Sequence, residues 1–173
     1  MRDRFLLVMR HAKSDWSIGG QPDFERTLNA RGKKAAPAMG QFLKNTGYTP
    51  DAIISSSAVR AKTTTLLAAE QAGTQEKVIQ FEENLYYAGH EAYLQAAQGF
   101  SEDVDVGMLV GHNPLVEQFI RLMSSNESSA GLMMPTAGIA CIQLHQPWSE
   151  ISAGSGRLKW FMIPRLLERI SIP

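Results

Sequence analysis

The stretch FLLVMRHAKS, residues 5–14, decides the fold of this chain. Its first five residues form a continuous apolar run, which is typical of a strand that is buried on both faces of a parallel sheet. Arg10 and His11 follow directly, so this strand delivers two polar side chains at its C-terminal end. Ligand sites of open α/β sheets lie at that end of their strands. The stretch therefore predicts a buried first strand and a polar site that begins at Arg10.

The composition indicates a soluble globular protein. The chain has 173 residues, of which 44% are hydrophobic and 20% charged, so we expect residues 1–173 to form a single domain. Basic and acidic residues number 17 each, which does not favour nucleic-acid binding. No apolar run approaches the roughly 20 residues that span a bilayer, and the apolar start is too short for a signal peptide. We expect a cytoplasmic protein with no membrane partner.

Strands and helices alternate along the rest of the chain. The predicted strands cover residues 5–9, 51–55, 78–81, 106–110, 137–144 and 158–163, and the predicted helices cover residues 30–46, 58–72, 91–99 and 114–123. Pro37 leaves the start of the first helix open between Asn29 and Lys34. Asn113 is predicted to cap the last helix, with Pro114 at its first position. This alternation predicts a three-layer α/β/α sandwich with a largely parallel sheet.

The motif Arg10-His11 has the chemistry of a phosphoryl site. A neutral imidazole can attack phosphorus, which divides a hydrolysis into phosphorylation of His11 and subsequent attack by water. The guanidinium of Arg10 offers a planar fork of donors that matches phosphate oxygens. Taken alone, this short motif is equally compatible with an exposed polar turn.

Two further motifs follow predicted strands. The segment SSSAVRAKTT, residues 55–64, carries Arg60 into a helix, and the segment VGHNP, residues 110–114, carries His112 to a helix start. Each residue alone is more typical of a surface arginine or a structural histidine. Because the carboxyl ends of parallel strands meet at one edge of a sheet, the three motifs together predict a single anion-binding pocket.

In their order along the chain, these motifs resemble the histidine phosphatase superfamily, which is also called the phosphoglycerate-mutase-like or RHG family. Ala12 stands where the family usually has glycine. The Arg-His-Ala-Lys-Ser form, the pattern Asp23-x-x-Arg26, the Leu85-Tyr86 pair and Gly-His-Asn-Pro are more similar to the SixA branch, the small phosphohistidine phosphatases. The resemblance extends over residues 5–142 and implies a phosphoglycerate-mutase-like fold.

The resemblance also implies roles for individual residues. His11 would be the phosphorylated nucleophile, and Arg10, Arg60 and His112 would bind the phosphoryl group. Charge neutralisation by arginines and a histidine needs no metal, so we expect neither a metal nor another cofactor. The residues assigned to substrate binding are Arg26, Ser14 and Asn113.

The general acid would be a carboxylic acid. Larger members of the superfamily use a carboxylic acid to protonate the leaving oxygen, and the segment 81–86 offers Glu82 for this role. Two adjacent glutamates at this place are more often simply solvated. A phosphohistidine leaving group needs less help from an acid, so a poor acid position favours that substrate.

Cysteine chemistry is not predicted. Cys141 is the only cysteine, and its apolar neighbours indicate a buried strand position. A cysteine phosphatase needs its thiolate in a loop that cradles phosphate, and no such loop surrounds Cys141.

The sequence leaves several functions open. The leading hypothesis is a phosphatase of a phosphohistidine-bearing protein domain, and the alternative is a phosphatase of a small phosphate ester such as a sugar or nucleotide phosphate. These two share the fold and the catalytic core, so sequence does not separate them. A phospho-binding module without turnover and a mutase are less favoured, because the nucleophile is present and no added cap segment is seen.

Overall fold

The computed structural model describes residues 3–17, 19–124 and 131–170. The six strands are β1 (Arg4–Arg10), β2 (Ala52–Ser56), β3 (Ile79–Glu82), β4 (Val106–Gly111), β5 (Ile139–Leu144) and β6 (Arg157–Met162). The six α-helices of the described ranges are α1 (Ala30–Thr46), α2 (Val59–Ala72), α3 (Asn84–Tyr87), α4 (Glu91–Gln98), α5 (Leu115–Met123) and α6 (Pro164–Ile170). Within these ranges, no helix combines the length and the apolarity needed to cross a lipid bilayer.

The strands form one sheet in the order β3-β2-β4-β1-β5-β6. The first four strands of that order run parallel to one another, and β5 and β6 are antiparallel to their neighbours. The C-terminal ends of β1, β2 and β4 therefore lie at the same edge of the sheet as the start of β5. The predicted largely parallel sheet with a final hairpin is confirmed.

The two faces of β1 explain the three layers. Leu6 and Val8 are fully buried in a cluster with residues of α4 and α5, whereas Leu7 and Met9 are fully buried in a second cluster with residues of α1 and α2. Successive side chains of a strand point to opposite faces, so a continuous apolar run places hydrophobic groups in both clusters. The apolar run of residues 5–9 thus gives the sandwich that the sequence predicts.

Helix α1 begins and ends where its cap residues predict. The side chain of Asn29 accepts a hydrogen bond of 2.9 Å from the backbone N–H of Gly32, and Gly47 closes the helix at φ 77°. Pro37 lies inside the helix, so the later start near Lys34 is wrong. At Gly40, an added Cβ would lie 2.1 Å from the carbonyl oxygen of Ala68, because α1 and α2 approach closely there.

The start of α5 differs from the prediction. The helix begins at Leu115, and Pro114 is the residue that precedes it, without a side-chain cap. The Asn113 amide instead donates a hydrogen bond of 2.7 Å to Oε1 of Glu117. Asn113 is therefore not the helix cap, because its side chain is directed to a carboxylate one turn along the helix.

The final hairpin buries the lone cysteine. Cys141 lies on β5 and is fully buried. Burial raises the pKa of its thiol to about 12, so the thiolate is not formed near neutral pH. The interpretation of Cys141 as a core residue is confirmed.

Candidate active site

His11 directly follows β1 and is 8% exposed. Its backbone N–H donates a 2.9 Å hydrogen bond to the carbonyl of Gly111, which ties it to the end of β4. Nδ1 of the ring lies 2.7 Å from the carbonyl oxygen of Ala12. A carbonyl can only accept, so the neutral ring carries its proton on Nδ1 and keeps a lone pair on Nε2.

Arg60 approaches that lone pair from the first turn of α2. Its Nε donates a hydrogen bond of 3.2 Å to Nε2 of His11, and the arginine is 6% exposed. The helix turn is fixed to the loop after β1, because the hydroxyl of Thr64 accepts from the N–H of Ala12 at 2.9 Å and donates to the carbonyl of Arg60 at 2.7 Å. The guanidinium and the imidazole nitrogen are thus held at a defined distance.

Asp23 supplies a carboxylate next to this pair. Nη2 of Arg60 donates to Oδ2 of Asp23 at 2.7 Å, and Nη1 of Arg60 donates to the Asp23 carbonyl. The hydroxyl of Tyr86 donates to the same Oδ2 at 2.8 Å. Burial tends to raise the pKa of the Asp23 carboxyl, but hydrogen bonds from Tyr86 and Arg60 and the charges of Arg60 and Arg26 lower it overall. Asp23 is therefore an anion, which neutralises much of the charge of Arg60.

His112 directly follows β4, the strand that lies between β1 and β2 in the sheet. The two ring centroids are 5.0 Å apart, and Nε2 of His112 lies 2.8 Å from the hydroxyl of Ser56 at the end of β2. The ring of Tyr86 contacts His112 edge-on at a centroid distance of 5.1 Å. Nδ1 of His112 is buried, and no residue in the described ranges forms a hydrogen bond with it.

Both histidines are neutral near pH 7. Burial is the main cause that lowers the pKa of His11 to about 4, with smaller contributions from the charges of Arg60 and Arg10. Burial also lowers the pKa of His112 to about 3, followed by the effect of His11 and Arg60. A neutral ring is the nucleophilic form of histidine, so the site holds His11 in the form that can attack an electrophile.

Of the residues predicted to bind the phosphoryl group, Arg10 has the least direct contact with His11. Its Nη1 donates to the carbonyl of Met134 at 2.8 Å, and Asn113 donates to the same carbonyl at 3.2 Å. Glu117 fixes this segment, since its Oε1 accepts a hydrogen bond of 2.7 Å from the backbone N–H of Met134. The direction of the Arg10 guanidinium thus depends on a loop and a carboxylate that the sequence motifs do not include.

The structure brings His11, Arg60 and His112 together and distributes the remaining predicted residues around them. Arg26 lies with its guanidinium carbon 4.0 Å from the centroid of the Trp16 ring, and its Nε is 3.5 Å from the Asp23 carboxylate. Ser14 is buried, and its hydroxyl accepts from Nε1 of Trp16 at 3.0 Å. Both residues support the loop beside the pocket without touching His11 in any hydrogen bond of the described ranges.

Glu82 is the last residue of β3. Its side chain lines a groove between β3 and α4, together with Gln80 and Gln95. In the described part of the chain, no hydrogen bond or ion pair joins the Glu82 carboxylate to His11, Arg60 or His112. The carboxylate that the structure does bring to the pocket belongs to Asp23.

Sequence reasoning assigned no role to Asp23, Ser56 or Tyr86. Asp23 and Tyr86 stand inside patterns that were already distinctive, so their spacing relative to Arg26 and Leu85 is the signal that could have found them. Ser56 is one of three consecutive serines, and the sequence does not indicate which of the three faces a histidine. Across the described residues, no three His, Cys, Asp or Glu side chains cluster closely enough to hold a metal ion.

Comparison with known proteins gives consistent matches. The family model of the histidine phosphatase superfamily (branch 1) matches residues 6–86. An uncharacterised protein of Mycobacterium leprae is 26% identical over 91% of this chain and 100% of its own length. The structure of the protein histidine phosphatase SixA complexed with tungstate has a TM-score of 0.80 at 21% identity, with 94% of this chain and 99% of that chain covered, and it shows the shared fold.

A second solved structure is closer in sequence. The candidate phosphohistidine phosphatase SixA from Agrobacterium tumefaciens is 30% identical, with a TM-score of 0.78 and coverage of 93% of this chain and 98% of that chain. The family match includes His11, Asp23 and Arg60. The chain therefore belongs to the histidine phosphatase superfamily, in its SixA branch.

Proposed function

We propose that this protein is a phosphatase that hydrolyses phosphohistidine on a protein substrate through a phosphoryl intermediate on His11. The observation that carries the proposal is the state of His11: the ring is neutral, its proton is fixed on Nδ1, and its Nε2 lone pair meets the Nε–H of a buried arginine. This is the arrangement that a nitrogen nucleophile for a phosphoryl group needs.

The charged groups around Nε2 suit the transition state of phosphoryl transfer. Arg60 has five N–H donors, of which three are used by His11 and Asp23, so two remain for phosphoryl oxygens. Arg10 and His112 would bind the remaining oxygens. Donors that are already in position stabilise the developing charge without reorganisation.

The reaction proceeds in two displacements. In the first, Nε2 of His11 forms a bond to phosphorus as the bond from phosphorus to the substrate nitrogen breaks, and the released imidazole nitrogen takes up a proton. In the second, water attacks phosphorus, the bond to Nε2 breaks, and inorganic phosphate leaves with His11 restored. Arg60 donates to Nε2 in the structure, and it would shift to the phosphoryl oxygens as the lone pair is used.

Three observations favour a protein phosphohistidine over a small ester. The chain belongs to the SixA branch, whose solved members include a protein histidine phosphatase. Two aromatic residues beside the site, Trp16 next to Arg26 and Tyr87 next to Tyr86, are 64% and 68% exposed and so are accessible to a macromolecular substrate. In the described ranges, the Glu82 carboxylate forms no hydrogen bond or ion pair with His11, Arg60 or His112, and a nitrogen leaving group depends little on a strong acid. Glu82 as general acid stays a prediction.

The test compares phosphate release from a phosphohistidine-bearing protein domain and from an aryl phosphate, by the wild type and by His11→Ala. We expect the wild type to act faster on phosphohistidine, and His11→Ala to lose activity on both substrates by roughly 10⁴-fold or more. Rapid quench with a ³²P-labelled substrate should trap an acid-labile, alkali-stable phosphoryl group on the wild type.

The matched control is His145→Ala, which removes a histidine that is 58% exposed. It should keep wild-type turnover. Turnover of the aryl ester without turnover of phosphohistidine would reject the proposed substrate and favour a small phosphate ester. Near-normal turnover by His11→Ala would reject the mechanism.

A further inference from the structure

A basic groove lies beside the candidate active site, at the same edge of the sheet. Its volume is about 480 Å³. The residues that line this basic groove are Lys13, Arg31, Ala35, Pro135, Thr136, Ile163, Pro164, Arg165 and Glu168. They come from the loop after β1, the first turns of α1, the segment before β5 and the start of α6.

Both walls of the basic groove start at the backbone that holds the catalytic residues. Lys13 is two residues beyond His11, roughly 7 Å along an extended chain. On the other wall, Thr136 precedes Ala137, whose N–H is shared between the carbonyls of Arg10 and His11 at 3.1 Å each. A ligand in the groove therefore lies close to a substrate held at His11.

Helix α1 brings its first turn tightly against the loop after β1. At Gly32, an added Cβ would lie 2.3 Å from the carbonyl oxygen of Lys13, so only glycine permits this approach. The adjacent Arg31 is carried to the groove by this contact. Leu167 packs against the core cluster beneath α1 and so fixes α6, which carries Arg165 and Glu168.

The charge of the groove is unbalanced. It contains three cations, Lys13, Arg31 and Arg165, and one anion, Glu168, whereas the whole chain has equal numbers of basic and acidic residues. All four side chains are exposed, and in the described ranges none of the three cations forms an ion pair. Ala35, Pro135, Ile163 and Pro164 give the groove an apolar lining between these charges.

We propose that this groove binds an acidic segment of the protein substrate, next to the phosphohistidine that His11 attacks; this inference rests on the proposed function. A peptide fits the lining, because the carboxylates of Asp or Glu pair with the cations while aliphatic stems cover the apolar residues. The groove is a recognition site, so it sets the affinity for the substrate rather than the rate of the chemical step.

The first experiment measures binding without turnover. A fluorescein-labelled glutamate-rich peptide without phosphate is titrated with the full-length protein, and the same peptide with every Glu replaced by Gln is the peptide control. We expect saturable binding of the acidic peptide that weakens with salt, and a dissociation constant about five- to tenfold higher for the double variant Arg31→Gln, Arg165→Gln. Glutamine is a good helix former, so both helices persist.

Two single variants test the direction of the expected change in affinity for the acidic peptide. Glu168→Gln removes the one anion of the groove and should tighten binding of the acidic peptide, opposite to Arg165→Gln on the same helix. Lys44→Gln removes an exposed cation from the last turn of α1, far from the groove, and should leave binding unchanged. No saturable binding, or an equal dissociation constant for wild type and double variant, would overturn the proposal.

The second experiment separates the groove from the proposed function. Phosphohistidine peptides with acidic or amide neighbours are compared as substrates, and the double variant should raise KM for the acidic peptide alone, with kcat and aryl phosphate turnover unchanged. Equal KM for both peptides in the wild type would reject the groove and leave the phosphatase intact. Acidic-peptide binding without phosphohistidine turnover would reject the proposed substrate and retain the groove.

Discussion

The phosphoryl pocket and the basic groove share one edge of the sheet but hold their cations in opposite ways. In the pocket, Arg60 is buried and donates hydrogen bonds to His11 and to the Asp23 carboxylate. In the groove, Arg31 and Arg165 are exposed and, among the described residues, form no ion pair. The comparison separates a region built for fixed geometry from a region built for adaptable recognition.

Burial accounts for the difference. A charge removed from water is strongly destabilising unless a partner and hydrogen bonds compensate it, so Arg60 requires Asp23. Exposed cations are solvated and need no partner, but each contributes little to the free energy of ligand binding. Chemistry that depends on sub-ångström placement therefore belongs in the pocket, and substrate selection belongs in the groove.

The largest effect should follow from changing the buried arginine. Arg60→Lys keeps a positive charge but removes the planar fork that reaches His11 and Asp23 together. We expect kcat/KM for an aryl phosphate to fall by roughly 10²- to 10³-fold, because transition-state oxygens lose aligned donors. Steady-state kinetics measure this loss. Arg31→Lys, the same substitution in the groove, should leave aryl phosphate turnover unchanged; a similar loss in both variants would contradict the division between the two regions.

The second effect concerns pH and stability. The folded protein lowers the pKa of His11 to about 4 and that of His112 to about 3, below the ordinary value of 6.5. The unfolded chain takes up these protons first, so the free energy of unfolding should decrease as pH falls from about 6.5 to about 4 for His11 and to about 3 for His112. The loss should be at most about 3 kcal/mol for His11 and about 5 kcal/mol for His112.

Urea unfolding at a series of pH values measures this dependence. In His112→Asn, the decrease over the same pH range should be about half as large, because one of the two buried groups no longer takes up a proton on unfolding. Parallel curves for the wild type and His112→Asn would contradict the neutral, buried state of this histidine.

The smallest effect tests how Arg10 is held. Glu117→Gln weakens the acceptor for the Met134 N–H and for Asn113, so the Met134 carbonyl that orients Arg10 should lose its fixed position. We expect kcat for an aryl phosphate to fall about tenfold, in line with the loss of one or two hydrogen bonds to a charged group. The control is Glu70→Gln, an exposed position on α2. A change in thermal stability with unchanged kcat would limit Glu117 to a structural role.

Sequence patterns predicted the scaffold well because they are local. The apolar run before Arg10 and the helix start at Asn29 depend on neighbours within a few positions, and the structure has both where expected. The prediction that Asn113 caps α5 was wrong because the contacts of this side chain are not all local. Its amide donates to Glu117 and also to the carbonyl of Met134, which is 21 positions away. Glu82 is the last residue of β3 rather than the residue after it, and which groove it lines depends on α4.

By itself, the sequence determined that His11 and His112 follow strands and that Arg60 begins the helix after a third strand, because the order of elements along the chain and the hydrophobic pattern suffice for that. Only the tertiary structure decided what each of them contacts. Distant parts of the chain meet in the hydrogen bond from Arg60 to the Asp23 carboxylate and in the contact between His112 and the Ser56 hydroxyl. They also meet in the groove formed by residues 13, 31 and 165. Such contacts result from the packing of whole helices and loops, and no local pattern encodes them.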